Sequence, residues 1–282
     1  MIDLGSFSEE ITNIFLLSLL SILVAVLLTP IYTHFAYKNK WWKQKRTTAT
    51  TGEKLTVIAK LSTRKRAVPT MAGLIIVVAT AFVTILFNLD RQQTWLPLAA
   101  LIGGGLVGLI DDIINVRSKG LGVAGLRAPL KFGMITIVAT ACALFFYYKL
   151  GYTTIQLPQI GDVTLGWLLI PIFVLAIVST SNAVNISDGL DGLAGGLLLS
   201  AFGAFAVIAA LQGNFGIAGF CMTIAGTLLA YVWFNIPPAR FFMGDIGSFS
   251  LGTALGVVAM LTDTLFLLPI IGFIFVLEAG SS

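Results

Sequence analysis

Apolar residues recur along the chain in runs of about 20, the length a helix needs to cross a ~30 Å hydrocarbon core. The pattern predicts nine spans, near 11–36, 70–89, 94–114, 129–148, 165–184, 192–211, 215–235, 247–261 and 264–279. The expected fold class is therefore all-α: a polytopic transmembrane helical bundle forming a single integral membrane domain over 1–282. One stretch breaks the helical pattern. KLGYTTIQLPQIGDVTLG (149–166) alternates polar and apolar residues either side of a Pro/Gly turn and predicts a small β-hairpin on the outer side.

Composition agrees with the pattern. Hydrophobic residues make up 57% of the 282 and charged residues 11%, where a soluble chain carries about 45–50% and about 25%. Mean hydropathy is +0.96. A soluble enzyme, a disordered chain, collagen and a coiled coil are excluded. Cys142 and Cys221 sit inside apolar runs and form no metal-thiolate spacing, and His34 is the single histidine. An imidazole or thiolate metal centre is excluded with them.

Charge supplies the orientation. If successive spans alternate, the connections 37–69, 115–131, 182–191 and 236–246 share one side and carry 15 of the 17 Lys and Arg residues, leaving Arg91 and Lys149 opposite. The positive-inside bias makes that side cytoplasmic and the N-terminus external. Within the basic 37–69 loop, Trp41 and Trp42 read as an interface anchor. Asp3, Glu9 and Glu10 precede the first span where a cleavable signal peptide would be basic.

A carboxylate at mid-helix costs at least about 2.5 kcal/mol in a membrane, so its placement carries information. Asp111, Asp112, Asp188, Asp191 and Asp245 all fall at the cytoplasmic ends of predicted spans, in three separate connections. Helix capping accounts for Asp191 before Gly192 and Asp245 before Ile246. It does not account for Asp111 and Asp112, which lie toward a helix C-terminus, where the dipole opposes negative charge. A shared cation site accounts for all five. With only carboxylate and amide oxygens on offer, the expected cofactor is Mg²⁺. Lys65, Lys119, Lys131 and Arg240 suit phosphates, Asn182, Asn185 and Asn235 add amides, and Phe241 and Phe242 offer a stacking face for a base. Phosphoryl transfer from a nucleotide to a lipid is the chemistry these groups suggest.

At these residues the sequence resembles the polyprenyl-phosphate N-acetylhexosamine-1-phosphate transferases, most closely their phospho-N-acetylmuramoyl-pentapeptide transferase branch. The stretches that carry the resemblance are RKRAVPTMAGL (64–74), GLIDDIINV (108–116), LRAPLKF (126–132), SNAVNISDGLDGLAGG (181–196), WFNIPPARFFMGDIGS (233–248) and LLPIIGFIFVLEA (267–279). The resemblance implies transfer of phospho-MurNAc-pentapeptide from UDP-MurNAc-pentapeptide to undecaprenyl phosphate, giving lipid I and UMP in peptidoglycan synthesis, with Mg²⁺ at the cytoplasmic face of a bacterial inner membrane. It implies Asp245 as metal ligand, Asp111 as base and Asp112 beside it. Asn182, Asn185, Asp188 and Asn235 complete the polar site, and Lys65, Thr70 and Lys131 face substrate. Gly189, Leu190, Asp191 and Phe242 form the uridine pocket. A homodimer is expected, and no nucleic-acid partner. Asn115 stands where the family pattern has Lys, and Ala72 where it has Gly. The family's His-rich loop and last span are expected beyond Ala279, with 280–282 resembling a linker. A UDP-GlcNAc transferase, an inactive truncated member and a transporter are the alternatives.

Overall fold

The computed structural model describes residues 4–42, 68–90, 92–117, 125–157 and 161–281, with side chains from residue 7 onward. Lys65, Lys119 and most of the basic loop lie outside the described residues. Helices dominate: α1 (Leu4–Lys38), α2 (Gly73–Phe87), α3 (Trp95–Arg117), α4 (Ala128–Tyr148), α5 (Leu169–Ser187), α6 (Leu193–Leu211), α7 (Phe215–Asn235) and α8 (Gly244–Leu261), followed by the short α9 (Leu268–Ile271) and α10 (Phe273–Ser281). Seven of these are long and apolar enough to cross a membrane, and α2 is a shorter apolar helix. The protein is a polytopic helical membrane protein.

Two expected spans differ. Residues 70–72 do not join α2, because their backbone pairs with 242–243: Ala72 N–H donates to the Phe242 carbonyl (3.0 Å) and Phe242 N–H to that of Pro69 (2.8 Å). The span expected at 264–279 is broken into a 3₁₀ turn, α9 and α10. Pro269 opens α9 and Gly272 ends it, and the nine residues of α10 reach only about 14 Å.

The hairpin is present. β1 (Thr154–Leu157) and β2 (Gly161–Thr164) pair antiparallel with Ile155 opposite Val163. Buried Ile155 turns inward, and Gln156 N–H donates to Asp263 Oδ1 at 3.0 Å, docking the hairpin on the turn after α8.

Helix α8 is the axis of the bundle. Every residue from Gly244 to Leu261 is buried, which its sequence permits because small residues recur: Gly244, Gly247, Ser248, Ser250, Gly252, Thr253 and Gly256. A Cβ on Gly104 would come 2.6 Å from the Phe249 carbonyl oxygen, and one on Gly108 only 2.1 Å from that of Asp245. On another side, a Cβ on Gly252 would meet Ser181 Cα at 2.6 Å. The Gly104/Gly108 and Gly252/Gly256 pairs thus set α3 and α5 backbone-to-backbone against α8. Gly196 on α6 faces open space and brings no helix this close.

Candidate active site

The close approach of Gly108 to α8 fixes the position of the next turn of α3. In that turn Asp111 and Asp112 lie beside Asp245, which is in the first turn of α8. One carboxylate oxygen from each of the three lies within 4.8 Å of the others. Their exposures are 1%, 0% and 5%. Lys131, in the first turn of α4, bridges the group: its Nζ is 2.7 Å from Asp111 Oδ2 and 2.7 Å from Asp245 Oδ2.

Each acid also has a backbone partner or a constrained neighbour. Leu126 N–H donates to Asp111 Oδ1. The chain passes that close because Gly125 has φ +88° and a Cβ there would be 2.8 Å from the same oxygen. Ile246 N–H donates to Asp112 Oδ2 at 3.1 Å. Gly244, with φ +74°, lies against Asp112 and Thr70: a Cβ on it would be 2.5 Å from Asp112 Oδ2 and 2.9 Å from Thr70 Oγ1.

These contacts revise the capping expectations. α3 runs on to Arg117, so Asp111 and Asp112 lie inside the helix rather than ending it. The opposing field of their own helix is offset by the N-terminus of another, since Asp112 caps α8 from outside. Asp245 is not the N-cap of α8; that position is Met243. Asp191 is not the N-cap of α6 either. Gly192 holds it, with φ +81°, and Asp191 Oδ2 accepts from Ala239 N–H at 3.1 Å instead.

The five acids separate into a buried triad and a looser pair. Asp188 is the half-buried C-cap of α5, and Asp191 ties the α5–α6 loop to the turn after α7. Asn235, only 3% exposed, locks the same two segments: its Oδ1 accepts from Gly192 N–H (2.8 Å) and its Nδ2 donates to the Phe241 carbonyl (2.9 Å). Asn185 donates to Ser248 Oγ at 2.8 Å, binding the end of α5 to the first turn of α8. Asn182, Gly189 and Leu190 are exposed, and Thr70 is fully buried.

The aromatic pair also divides. Phe241 is 2% exposed, with ring centroids 5.5 Å from Tyr32, 6.0 Å from Tyr231 and 5.4 Å from Phe234. It is core and offers no stacking face. Phe242, the next residue, is half-buried rather than core. Arg240 places its guanidinium 5.8 Å over the Phe234 ring.

Sequence reasoning missed Tyr32 and the two backbone donors at Asp111 and Asp112; Asn115, which stands where the family pattern has Lys, is buried on the same helix. The spaced glycines of GGGLVG were the legible signal for the close approach of α3 to α8.

The donor set suits a hard divalent cation. Among the described residues it offers three buried carboxylates with oxygens within 4.8 Å of one another, the oxygen ligands that such a cation takes. Asp111, Asp112 and Asp245 would hold Mg²⁺. Separately, an apolar cavity of about 440 Å³ lies between α5, α8 and the α9–α10 segment, lined by Leu175, Val184, Leu255, Phe266 and Phe275 among others. It reaches along α5 to the residue before Asn185.

A buried acidic centre within a bundle of membrane-spanning helices places this chain among integral membrane proteins with a candidate cation site. Residues 94–263 match the model of glycosyl transferase family 4, and the chain belongs to that family. A phospho-N-acetylmuramoyl-pentapeptide-transferase of Chloroflexus aggregans is 37% identical over 282 aligned residues, covering 97% of this chain and 74% of that protein. One from a Geobacillus species is 37% identical, covering 93% and 79%. One from Chloroflexus aurantiacus is 41% identical, covering 76% and 60%.

Proposed function

We propose that the chain transfers phospho-MurNAc-pentapeptide from UDP-MurNAc-pentapeptide to undecaprenyl phosphate, releasing UMP and giving lipid I, at the cytoplasmic face of a bacterial inner membrane. The observation that carries the reading is the buried Asp111–Asp112–Asp245 triad bridged by Lys131. The names of the relatives and the expectations drawn from the sequence point to the same reaction.

In this reading a bound Mg²⁺ supplies electrostatic relief between the donor pyrophosphate and the incoming lipid phosphate. The chain's own residues do the rest. Asp111 orients the lipid phosphate or takes its proton, and Lys131 turns its ammonium to the phosphates as substrate enters. Phe242 lies against uracil, with Gly189, Leu190 and Asp191 around the uridine and Asp188, Asn182, Asn185 and Asn235 supporting the polar site. Thr70 supports Gly244 and Asp112 from within the protein, and Lys65 reaches substrate from the basic loop. The cavity along α5 suits a polyprenyl chain, being apolar. An oxygen of the lipid phosphate forms the new bond to the sugar-bearing β-phosphorus, and the bond from that phosphorus to the UMP oxygen breaks. Neither the fold nor the relatives support the homodimer expected from the sequence.

The test is reconstitution. Purified protein supplied with UDP-MurNAc-pentapeptide and undecaprenyl phosphate should form lipid I and UMP, lose this activity on chelation and regain it with Mg²⁺. Asp245→Ala should lower turnover by about a hundredfold or more while remaining folded. Lipid-linked product from UDP-GlcNAc in place of the muramoyl donor would favour the alternative transferase. Absence of product from both donors would reject the reading.

A further inference from the structure

Tyr32 lies on α1, far in sequence from every residue of the site. Its hydroxyl donates to the Thr70 carbonyl at 2.6 Å. Its ring meets Phe241 edge-on at 5.5 Å and Trp41 at 6.1 Å. The side chain is 7% exposed. It therefore grips both halves of the crossover that precedes α8: the 69–73 segment through an oxygen, and the 241–243 segment through a ring.

The two halves depend on each other. Thr70 N–H donates to the Trp41 carbonyl (2.8 Å), Phe242 N–H to that of Pro69 (2.8 Å), Ala72 N–H to that of Phe242 (3.0 Å) and Gly73 N–H to that of Met243 (2.8 Å). Gly244 and Asp245 come directly after. Along 241–243, Phe241 and Met243 are buried and Phe242 between them is half-buried. Anchoring Phe241 by its ring, beside the hydrogen bonds of Phe242 to Pro69 and Ala72, thus fixes the backbone that carries the Phe242 side chain. Holding Thr70 in place keeps its hydroxyl against Gly244, on the side where Asp112 lies.

We propose that Tyr32 is a positioning residue for the transfer reaction: its hydroxyl sets the placement of Gly244 and Asp245 beside Asp112, and its ring sets the presentation of Phe242 to the nucleotide. This role rests on the proposed transferase function. The two halves of the side chain have separable effects. Tyr32→Phe keeps the ring and deletes one oxygen, leaving a buried carbonyl short of a donor. Tyr32→Leu removes the ring as well.

The experiment compares the full chain and both variants in detergent by lipid I kinetics per folded molecule and by backbone hydrogen exchange. Tyr32→Phe should lower kcat about tenfold with KM for the UDP-linked donor within about twofold, and should speed exchange in segments 68–74 and 240–247. Tyr32→Leu should in addition raise that KM. Unchanged exchange in those segments in Tyr32→Phe would overturn the proposal whatever the reaction proves to be. So would faster exchange with an unaltered kcat, which is what a purely structural tether would give. If Tyr32→Leu does not fold, Tyr32→Phe decides alone. A wild-type protein that makes no lipid I overturns the functional reading itself, a result distinct from either.

Discussion

The Asp112 carboxylate accepts the Ile246 amide at 3.1 Å, so an acid of α3 closes the N-terminus of α8. A buried carboxylate and an orphan helix amide, each costly alone, satisfy one another. The same contact holds Asp245, the residue before Ile246, next to the α3 acids. Stability and site assembly are coupled at this one hydrogen bond.

Asp112→Ala should therefore lower stability by about 1–3 kcal/mol, because it strands the Ile246 amide in a buried place. Asp112→Asn retains an acceptor and should lose no more than about 1 kcal/mol, yet should lose most transfer activity. Thermal unfolding in detergent and lipid I assays on the same samples separate the two effects. Asp112→Ala melting with the wild type would show that the cap contributes nothing.

Gly108→Ala places a methyl group 2.1 Å from the Asp245 carbonyl oxygen and 2.3 Å from its carbon, and backbone cannot yield as a side chain would. The helices must separate at the acids, at a cost of about 1–3 kcal/mol and with a large loss of activity. Gly203→Ala is the control. It has open space and should change stability by no more than about 1 kcal/mol, in the stabilising direction. Equal effects at the two positions would mean that the approach of α3 to α8 is not set by Gly108.

Asn235 spends its amide on the Gly192 N–H and the Phe241 carbonyl. Asn235→Asp keeps the acceptor, loses the donor and buries a charge beside a carbonyl. Expected are a loss of about 2–4 kcal/mol and a raised KM for the UDP-linked donor, since the loops carrying Gly189–Asp191 and Phe242 lose one of the contacts that join them. Chemical unfolding and donor titration check both. A stable variant with raised KM alone would assign Asn235 to substrate rather than to the loops.

Direct displacement makes a prediction of its own. A phosphomonoester has a second pKa of about 6 and is mostly dianionic at neutral pH, so the lipid phosphate is a competent nucleophile without a covalent enzyme intermediate. Labelled UMP should not exchange into the UDP-linked donor when lipid is rigorously removed. Lipid-free exchange would require an acyl-phosphate on an aspartate, and direct displacement would have to be abandoned.

Hydropathy is a property of each segment by itself, so the sequence alone determined that the chain is a membrane-spanning helical bundle and where most spans lie. The alternating stretch at 149–166 likewise revealed the hairpin, since period two is local. The gathering of Asp111, Asp112 and Asp245 was legible for a similar reason: charge is expensive in a membrane, and these acids fall at the same end of their spans. Which acids meet was decided only in three dimensions. Contact depends on helix rotation and axial offset, which the close approach at Gly108 fixes to within one residue. Lys131 comes from a third helix to bridge two of the acids, while Asp188 and Asp191 remain in a neighbouring loop. Phe241 and Phe242 are the same residue type, and the tertiary structure made one core and left the other half-buried, in the segment where 242–243 pairs with 69–73. Tyr32 carried no sequence signal, because its partners are a backbone carbonyl and a buried ring that only the folded chain brings to it.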